Sequence, residues 1–387
     1  MSRLKYITKV AVVFSVLTAI LVGCGSEGTS VKANETNDHA TGDPTMAEAI
    51  AECPDEIVIQ TDWFPEAEHG AMYELFGDGE YEVDAENLTV KGYLHNDGVK
   101  TGTKLEVRTG GPGIGFSPVA SYMYTDDSIT IGYANADELV SFYKDAPMIA
   151  VVAPLEKNPQ MIMWDPLRNP TVFKIENLKD SDIPVNVFGG SVWADILVQT
   201  GVLKQSQVDP SYDGTPARFI AEDGYIAQQG FASAEPFTYK NTFEDWGKDV
   251  AFELLHDAGY ESYAATLAIR AADKADMDAC LKTFVPIVQK AVVSYVDDPS
   301  TANALIVDAV AKFGSSWVYP ADLAEFSIAK QIELGLVSNG PNATVGDMES
   351  SRIADLINLM NDAGIETHGA SADDLFTNEY IDPSVGL

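Results

Sequence analysis

The chain has 387 residues, of which 59 are Asp or Glu and 24 are Lys or Arg, so its formal charge at pH 7 is −35. This charge argues against nucleic acid as a partner, because a phosphate backbone is bound by clustered cations, and it favours a soluble monomer. The 46% of apolar residues excludes a globally disordered chain. The length predicts about two domains, since single cores rarely exceed about 250 to 300 residues.

The amino terminus has the pattern of an export signal. The cations Arg3, Lys5 and Lys9 precede an apolar run over residues 10–22. This run is shorter than the roughly 20 residues that span a bilayer. Cations followed by a short apolar run are typical of a secretory signal peptide.

A lipid attachment motif stands where the signal would be cleaved. The tetrapeptide Leu-Val-Gly-Cys at 21–24 resembles the bacterial lipobox. The resemblance implies a signal peptide over 1–23, lipidation of Cys24, and a location at the outer face of the cytoplasmic membrane. Residues 24–52 are mostly small and polar and are expected to form a flexible tether.

Two cysteines follow the tether, Cys53 and Cys280. Outside the cytoplasm two thiols can pair, but the sequence leaves open whether these two approach each other. Their spacing is not that of a zinc site, and no metal is expected.

The part of the chain that follows the tether is predicted to begin with alternating strands and helices. Residues 56–60 predict a strand, 70–76 a helix and 104–108 a second strand. The segment 81–102 contains Asn-Asp-Gly, which is typical of a hairpin turn. Ser117 and the proline after it predict the N-cap and first residue of a further helix.

The pattern continues with three more strands. Residues 128–133 predict a strand followed by a helix that begins at Asn135. The apolar run 148–153 predicts a strand buried on both faces of a parallel sheet. Residues 185–188 predict a short strand, after which 189–191 open a helix at a strand's carboxyl end, where α/β sheets bind ligands.

Motifs of common catalytic sites are missing from the sequence. It contains no Gly-x-Ser-x-Gly, no His-Glu-x-x-His and no phosphate-binding Gly-x-x-x-x-Gly-Lys. The stretch 62–73 instead combines Trp63, a second aromatic residue, His69 and several acids at the end of the first strand. This composition suits either the binding of a flat polar ring or the closure of a core.

The stretch 62–73 resembles the Asp-Trp-Phe-Pro-x-x-x-His-x-x-x-Tyr signature of the thiamine-pyrimidine-synthase-like family, which includes solute-binding lipoproteins of ABC importers. Further parts of the family pattern recur in order at 110–112, 136–139, 147–153 and 230–236. The resemblance covers nearly the whole body after the tether.

The resemblance implies an α/β, two-lobe type II periplasmic-binding-protein fold with a hinge and a ligand cleft between the lobes. Lobe one would comprise 54–152 and 240–387, and lobe two 153–239. The implied function is capture of a small nutrient for an ABC permease and ATPase, without cofactor or catalysis. Ligand bridging both lobes would favour the closed state.

The same resemblance assigns the ligand-binding residues. Trp63 would stack on the ligand, and Glu235 would accept hydrogen bonds from its amine. The remaining implied site residues line the cleft walls or stand at helix starts: His69, Tyr73, Ser117, Asn135, Gly190, Ser191 and Trp193.

Several alternatives stay open. The preferred ligand is a thiamine-related aminopyrimidine, and the rivals are a sulfonate, taurine, nitrate or riboflavin. An anionic ligand would require a cation in the cleft, for which Arg108 and Arg218 are the candidates. Alternatives of another class are an enzyme of pyrimidine synthesis, which would need a pyridoxal-binding lysine, and a sensor that signals to a membrane receptor.

Overall fold

The computed structural model describes residues 47–387, which form two β-sheets surrounded by helices. The strands of this part of the chain are β1 Glu56–Gln60, β2 Glu82–Asp84, β3 Thr89–Asn96, β4 Val99–Arg108, β5 Ile131–Ala134, β6 Met148–Val152, β7 Gln160–Trp164, β8 Val185–Asn186, β9 Val208–Asp209, β10 Ala227–Phe231, β11 Ala251–Leu254 and β12 Thr266–Arg270. Its α-helices are α1 Gly70–Glu74, α2 Val119–Met123, α3 Ala136–Ser141, α4 Leu178–Ser181, α5 Val192–Gln199, α6 Ala217–Ala221, α7 Glu235–Asn241, α8 Lys274–Asp297, α9 Ser300–Phe313, α10 Ala321–Glu333, α11 Ser350–Asp362 and α12 Ala372–Leu375.

The larger sheet has seven strands in the order β2-β3-β4-β1-β5-β12-β6. β1 pairs in parallel with β4 and β5, whereas β12 is antiparallel to both β5 and β6. The expectation that residues 148–153 form a strand of a parallel sheet is therefore wrong, because β6 pairs with its neighbour β12 in the antiparallel direction. An apolar run reports burial on both faces, which β6 has, but it does not report the direction of the neighbouring strand.

The hairpin expected at Asn-Asp-Gly joins β3 to β4. Asp97 and Gly98 both have a positive φ, of 50° and 74°, as a two-residue hairpin turn requires. Asn96 faces Val99 across the turn. The segment 81–102 therefore extends the edge of the larger sheet.

The smaller sheet has five strands in the order β11-β7-β10-β8-β9. We call the part of the chain around the larger sheet the first lobe and the part around the smaller sheet the second lobe. β11 pairs with β7, so the second lobe includes Ala251–Leu254 and extends beyond the expected boundary at 239. The family motif at 230–236 ends before β11, and no local signal ties this short strand to β7.

Two large apolar cores stabilise the body. One lies between the larger sheet and α8 to α10 and includes Ile59, Phe284 and Ile306. The other begins on the opposite face of the larger sheet and continues into the second lobe, where it includes Trp164 and Leu197. Burial of this apolar surface is the main term that holds the strand ends in place.

A disulfide joins Cys53, just before β1, to Cys280 on α8, with the two Cα atoms 4.5 Å apart. The sequence alone left this pairing open. The bond fixes the start of the folded body to the longest helix of the first lobe.

Candidate functional site

Several strands end at the same edge of the molecule. β1, β4 and β5 are parallel, so the segments that follow them start side by side. β8 and β10 of the second lobe are also parallel to each other. Ligands of open α/β sheets bind beyond such carboxyl ends. Two adjoining cavities lie among these segments, and both are lined by Glu66 and Phe231.

We call the first cavity the aromatic pocket. Its walls are the rings of Trp63, Phe188, Tyr212, Phe231 and Trp317 and the carboxyl groups of Glu66 and Glu235. The ring centroids of Trp63 and Trp317 are 6.1 Å apart, and those of Phe188 and Tyr212 are 4.7 Å apart. The two tryptophans belong to the first lobe and the other three rings to the second. A ligand in this pocket therefore contacts both lobes.

Local contacts hold the two tryptophans. The indole nitrogen of Trp317 donates a hydrogen bond of 3.3 Å to the carbonyl of Pro65. Gly111 has a φ of 54°, and a Cβ atom there would lie 2.4 Å from Trp63 Cε3. Only glycine combines this backbone conformation with such a close approach to the indole ring.

Phe116 links the aromatic residues of the two lobes. Its ring centroid is 6.0 Å from that of Trp63 and 6.5 Å from that of Phe188. The side chain is 58% exposed and the residue has a φ of 59°, which is unusual for a bulky side chain. The glycine-rich loop after β4 thus presents an aromatic ring beside the pocket.

We call the second cavity the acidic chamber. It is lined by the carboxyl groups of Asp62, Glu66 and Glu68 and by the polar side chains of His69, Asn135, Asn158 and Gln160. The Nε2 atom of His69 lies 2.7 Å from Oδ1 of Asp62. Glu68 Oε1 accepts a hydrogen bond from the Ser233 hydroxyl, while Glu68 Oε2 and His69 Nδ1 are buried without a partner.

The electrostatics of both cavities are dominated by carboxyl groups. In the described part of the chain no Lys or Arg lines either cavity. Burial raises the pKa of Glu66 well above its usual value, and repulsion from Glu68, Asp62 and Glu235 adds to this rise. Burial raises the pKa of Glu235 to about 7, opposed by the hydrogen bond that its Oε2 accepts from the backbone N–H of Phe231. In their charged forms these carboxyl groups accept hydrogen bonds from donors and attract positive charge.

The described residues contain no cluster of three His, Cys, Asp or Glu side chains placed to hold a metal ion.

Four of the expected site residues line these cavities. Trp63 and Glu235 line the aromatic pocket, and His69 and Asn135 line the acidic chamber. Asn135 Oδ1 accepts a hydrogen bond of 3.0 Å from the backbone of Ala265, which fixes the asparagine at the start of α3.

Two expected site residues lie in the apolar cores. Tyr73 is 1% exposed and packs in the core between the larger sheet and α8. Trp193 is 4% exposed and packs in the other core. Both are on the inward face of short helices, where an aromatic side chain stabilises packing rather than lining a cavity.

Three further expected residues line neither cavity. α2 begins at Val119 with Pro118 at its N-cap, so the expectation that Ser117 caps this helix is wrong. Gly190 and Ser191 do precede α5, and the Ser191 hydroxyl donates a hydrogen bond of 2.8 Å to the carbonyl of Phe188. Cys24 and the predicted signal peptide lie outside the described residues.

The two arginines considered for an anionic ligand are engaged elsewhere. Arg108 forms ion pairs with Glu106 and with Asp126, at 2.9 and 3.0 Å. Arg218 pairs with Asp209. Neither arginine lines the aromatic pocket or the acidic chamber.

Several residues that line the cavities were not identified from the sequence. Glu66 and Glu68 lie inside the stretch 62–73, whose acids were noted as suiting a flat polar ring, but neither glutamate was assigned to the site. Trp317 is on a loop 254 positions after Trp63, and it gave no sequence signal. Contact between such distant segments depends on the packing of the helices between them.

No protein-family model matches the sequence, and no curated protein sequence matches it. Solved structures do resemble it. The aliphatic sulphonate binding protein SsuA of Escherichia coli, described as periplasmic, has a TM-score of 0.50 at 15% identity, over 81% of this chain and 86% of that chain. The alkanesulfonate-binding protein SsuA of Xanthomonas axonopodis pv. citri, bound to MOPS, has a TM-score of 0.52 at 12% identity, over 84% and 99%.

A third structure, of a Bordetella bronchiseptica protein, has a TM-score of 0.51 at 14% identity, over 84% of this chain and 96% of that chain. Similarity at these identities shows the fold. The chain has the α/β, two-sheet periplasmic-binding-protein fold that the sequence motifs predicted.

Proposed function

We propose that the protein is the lipid-anchored, extracytoplasmic solute-binding component of an ABC importer, and that its ligand is a thiamine-related aminopyrimidine. The observation that carries this proposal is the aromatic pocket, in which Trp63 and Trp317 from one lobe face Phe188 and Tyr212 from the other. A flat ring between these side chains would bring the lobes together, and only the liganded, closed form would engage the permease.

The carboxyl groups favour an amine-bearing ligand over an anionic one. Glu66 and Glu235 line the same pocket as the tryptophans, and the described residues place no cation there. Two structural neighbours are sulfonate-binding proteins by name, so a sulfonate is the second candidate. A sulfonate would have to lie against buried carboxyl groups without an arginine to neutralise it, which is costly.

The enzyme alternative has less support. A pyridoxal-dependent enzyme of pyrimidine synthesis would need a lysine in the cleft, and neither cavity has one within residues 47–387. The export signal predicted over residues 1–23 also favours a binding protein outside the cytoplasm.

The ligand is tested by a thermal-shift screen of the purified protein. The compounds are aminopyrimidines, thiamine, riboflavin, taurine, alkanesulfonates and nitrate. A ligand present at about 100 times its Kd stabilises the folded state by roughly 2.7 kcal/mol, which gives a clear rise in Tm. We expect the rise with an aminopyrimidine. A rise with a sulfonate or nitrate alone would contradict the proposed ligand and keep the transport function.

The role of the aromatic pocket is tested with Trp63→Ala. Loss of the stacking surface should weaken aminopyrimidine binding by about 1 to 3 kcal/mol, measured by calorimetry. Phe173→Ala is the matched control, because Phe173 is 77% exposed on the second lobe and lines neither cavity. Equal affinity of a folded Trp63→Ala protein and the control would remove Trp63 from the site.

The lipid anchor is tested with Cys24→Ser. The substitution removes the proposed attachment atom, so the protein should move from the membrane fraction to the soluble fraction of the producing bacterium. Continued anchoring of the variant would contradict lipidation at Cys24.

A further inference from the structure

The acidic chamber has no role in stacking a ring, yet it adjoins the aromatic pocket. Glu66 and Phe231 line both cavities, so a ligand in the aromatic pocket lies next to the chamber. The chamber has a volume of about 40 Å³. This room suits a group of one or two heavy atoms and is too small for a second ring.

The chamber contains buried polar atoms that have no partner in the protein. Glu68 is 5% exposed, and its Oε2 atom accepts no hydrogen bond, although its Oε1 atom is bound to Ser233. His69 is 1% exposed, and its Nδ1 atom is also without a partner. When Nε2 of the neutral ring donates to Asp62, Nδ1 is an acceptor. An unpaired buried acceptor costs free energy, and a bound donor would remove that cost.

Glu68 Oε2 in its charged form and His69 Nδ1 in the tautomer described above both lack a hydrogen-bond donor. Carboxyl groups of Asp62, Glu66 and Glu68 line the chamber, and the described residues place no Lys or Arg beside them. A metal ion is not favoured, because these side chains do not form a cluster of metal-binding geometry. A primary ammonium group carries three donors and one positive charge, and it is small enough for the chamber.

We propose that the acidic chamber is a subsite for a protonated primary amine, carried on a one-carbon arm by the ring that lies in the aromatic pocket. The ligand class is thus a flat heteroaromatic ring with an aminomethyl group. The inference rests on the proposed function, because it takes the aromatic pocket as the site of the ring. Glu68 Oε2 is the principal acceptor, and Glu66 contacts both the arm and the ring.

A matched pair of probes tests the subsite in the purified full-length protein. Both probes are 4-amino-2-methylpyrimidines, one with a 5-aminomethyl group and one with a 5-hydroxymethyl group. The two probes share the ring, and the first carries an ammonium group where the second carries a hydroxyl group. Calorimetry at pH 7.5 should give at least a tenfold lower Kd for the aminomethyl probe.

Glu68→Gln tests which side chain gives this preference. The amide keeps an oxygen acceptor for Ser233 and removes the charge, so the fold should be retained. The preference should fall to less than threefold, because the aminomethyl probe loses its charged partner. Glu74→Gln is the matched control, since Glu74 is also a partly buried carboxyl with an unpartnered oxygen but lines neither cavity. The control should keep the full preference.

The outcomes separate the two proposals. Equal affinity of the wild-type protein for both probes overturns the amine subsite and keeps an aminopyrimidine-binding protein. An unchanged preference in Glu68→Gln and also in Glu66→Gln overturns the assignment to the chamber. Failure of both probes to bind the wild-type protein overturns the proposed ligand, and the amine subsite falls with it.

Discussion

Glu235 illustrates how a single side chain is tuned by its surroundings. It begins α7, and a Cβ atom on Gly230 would lie 2.9 Å from its Cγ atom, so glycine is needed beside it. Burial raises its pKa to about 7. At neutral pH the group therefore changes readily between a neutral donor and a charged acceptor.

This pKa predicts how binding of a positively charged ligand depends on pH. As pH falls below about 7, Glu235 gains a proton and loses the charge that attracts the ligand. Protonation of Glu66 and Glu68, whose pKa values burial also raises, acts in the same direction. We expect the Kd of an aminomethylpyrimidine to rise between pH 8 and pH 5.5 in calorimetry. A Kd that falls over this interval would contradict the prediction.

Among the individual residues of the site, some could be identified from the sequence and others could not. Trp63, His69 and Asn135 follow strand ends, and local sequence places such residues near a cleft. Tyr73 and Trp193 face the apolar cores instead, because the direction of a side chain on a short helix depends on what packs against it. Trp317 reaches the pocket only through long-range packing.

Among the elements, some local signals were accurate, whereas the N-cap expected at Ser117 and two strand pairings were wrong or had no signal. β1 has the expected limits, and the turn at Asp97 and Gly98 forms because these residues tolerate a positive φ. The antiparallel direction of β6 and the place of β11 in the smaller sheet had no local signal, because both depend on contacts with strands far away in the sequence.

The disulfide between the start of the body and α8 predicts a large effect on stability. Loss of a native disulfide from a small secreted domain typically costs about 2 to 5 kcal/mol, partly because the unfolded chain gains freedom. We expect Cys280→Ala to lower the free energy of unfolding by this amount in urea titrations. Wild-type protein under reducing conditions is the control and should show the same loss. Equal stability with and without a reductant would contradict a structural role for the bond.

For the whole molecule, the protonation of buried carboxyl groups determines how the stability of the fold depends on pH. Burial and neighbouring acids raise the pKa of Glu74 to about 7 and that of Glu138 to about 8, and burial raises that of Glu235 to about 7. Each group binds its proton more tightly when folded than when unfolded. Folding is therefore disfavoured above these values and becomes more favourable as pH falls toward about 4.5.

We accordingly expect Tm to rise between pH 8.5 and pH 5.5 in the absence of ligand. The formal charge of −35 acts in the same direction, since protonation reduces the net repulsion. Differential scanning calorimetry at low and high salt checks both causes, because salt screens the surface charges more than the buried groups. A Tm that is highest at pH 8.5 would contradict the assignment of these carboxyl groups.

The bond between Cys53 and Cys280 also has a mechanical consequence. It closes a loop of 227 residues that contains all the strands of the described chain. A force applied between the two ends of the chain passes directly from Cys53 to Cys280 and bypasses both sheets. When both forms are fully stretched, the oxidised molecule would thus be about 80 nm shorter than the reduced one, at roughly 3.5 Å per extended residue. In the oxidised molecule the strands between the two cysteines therefore stay outside the path of the load.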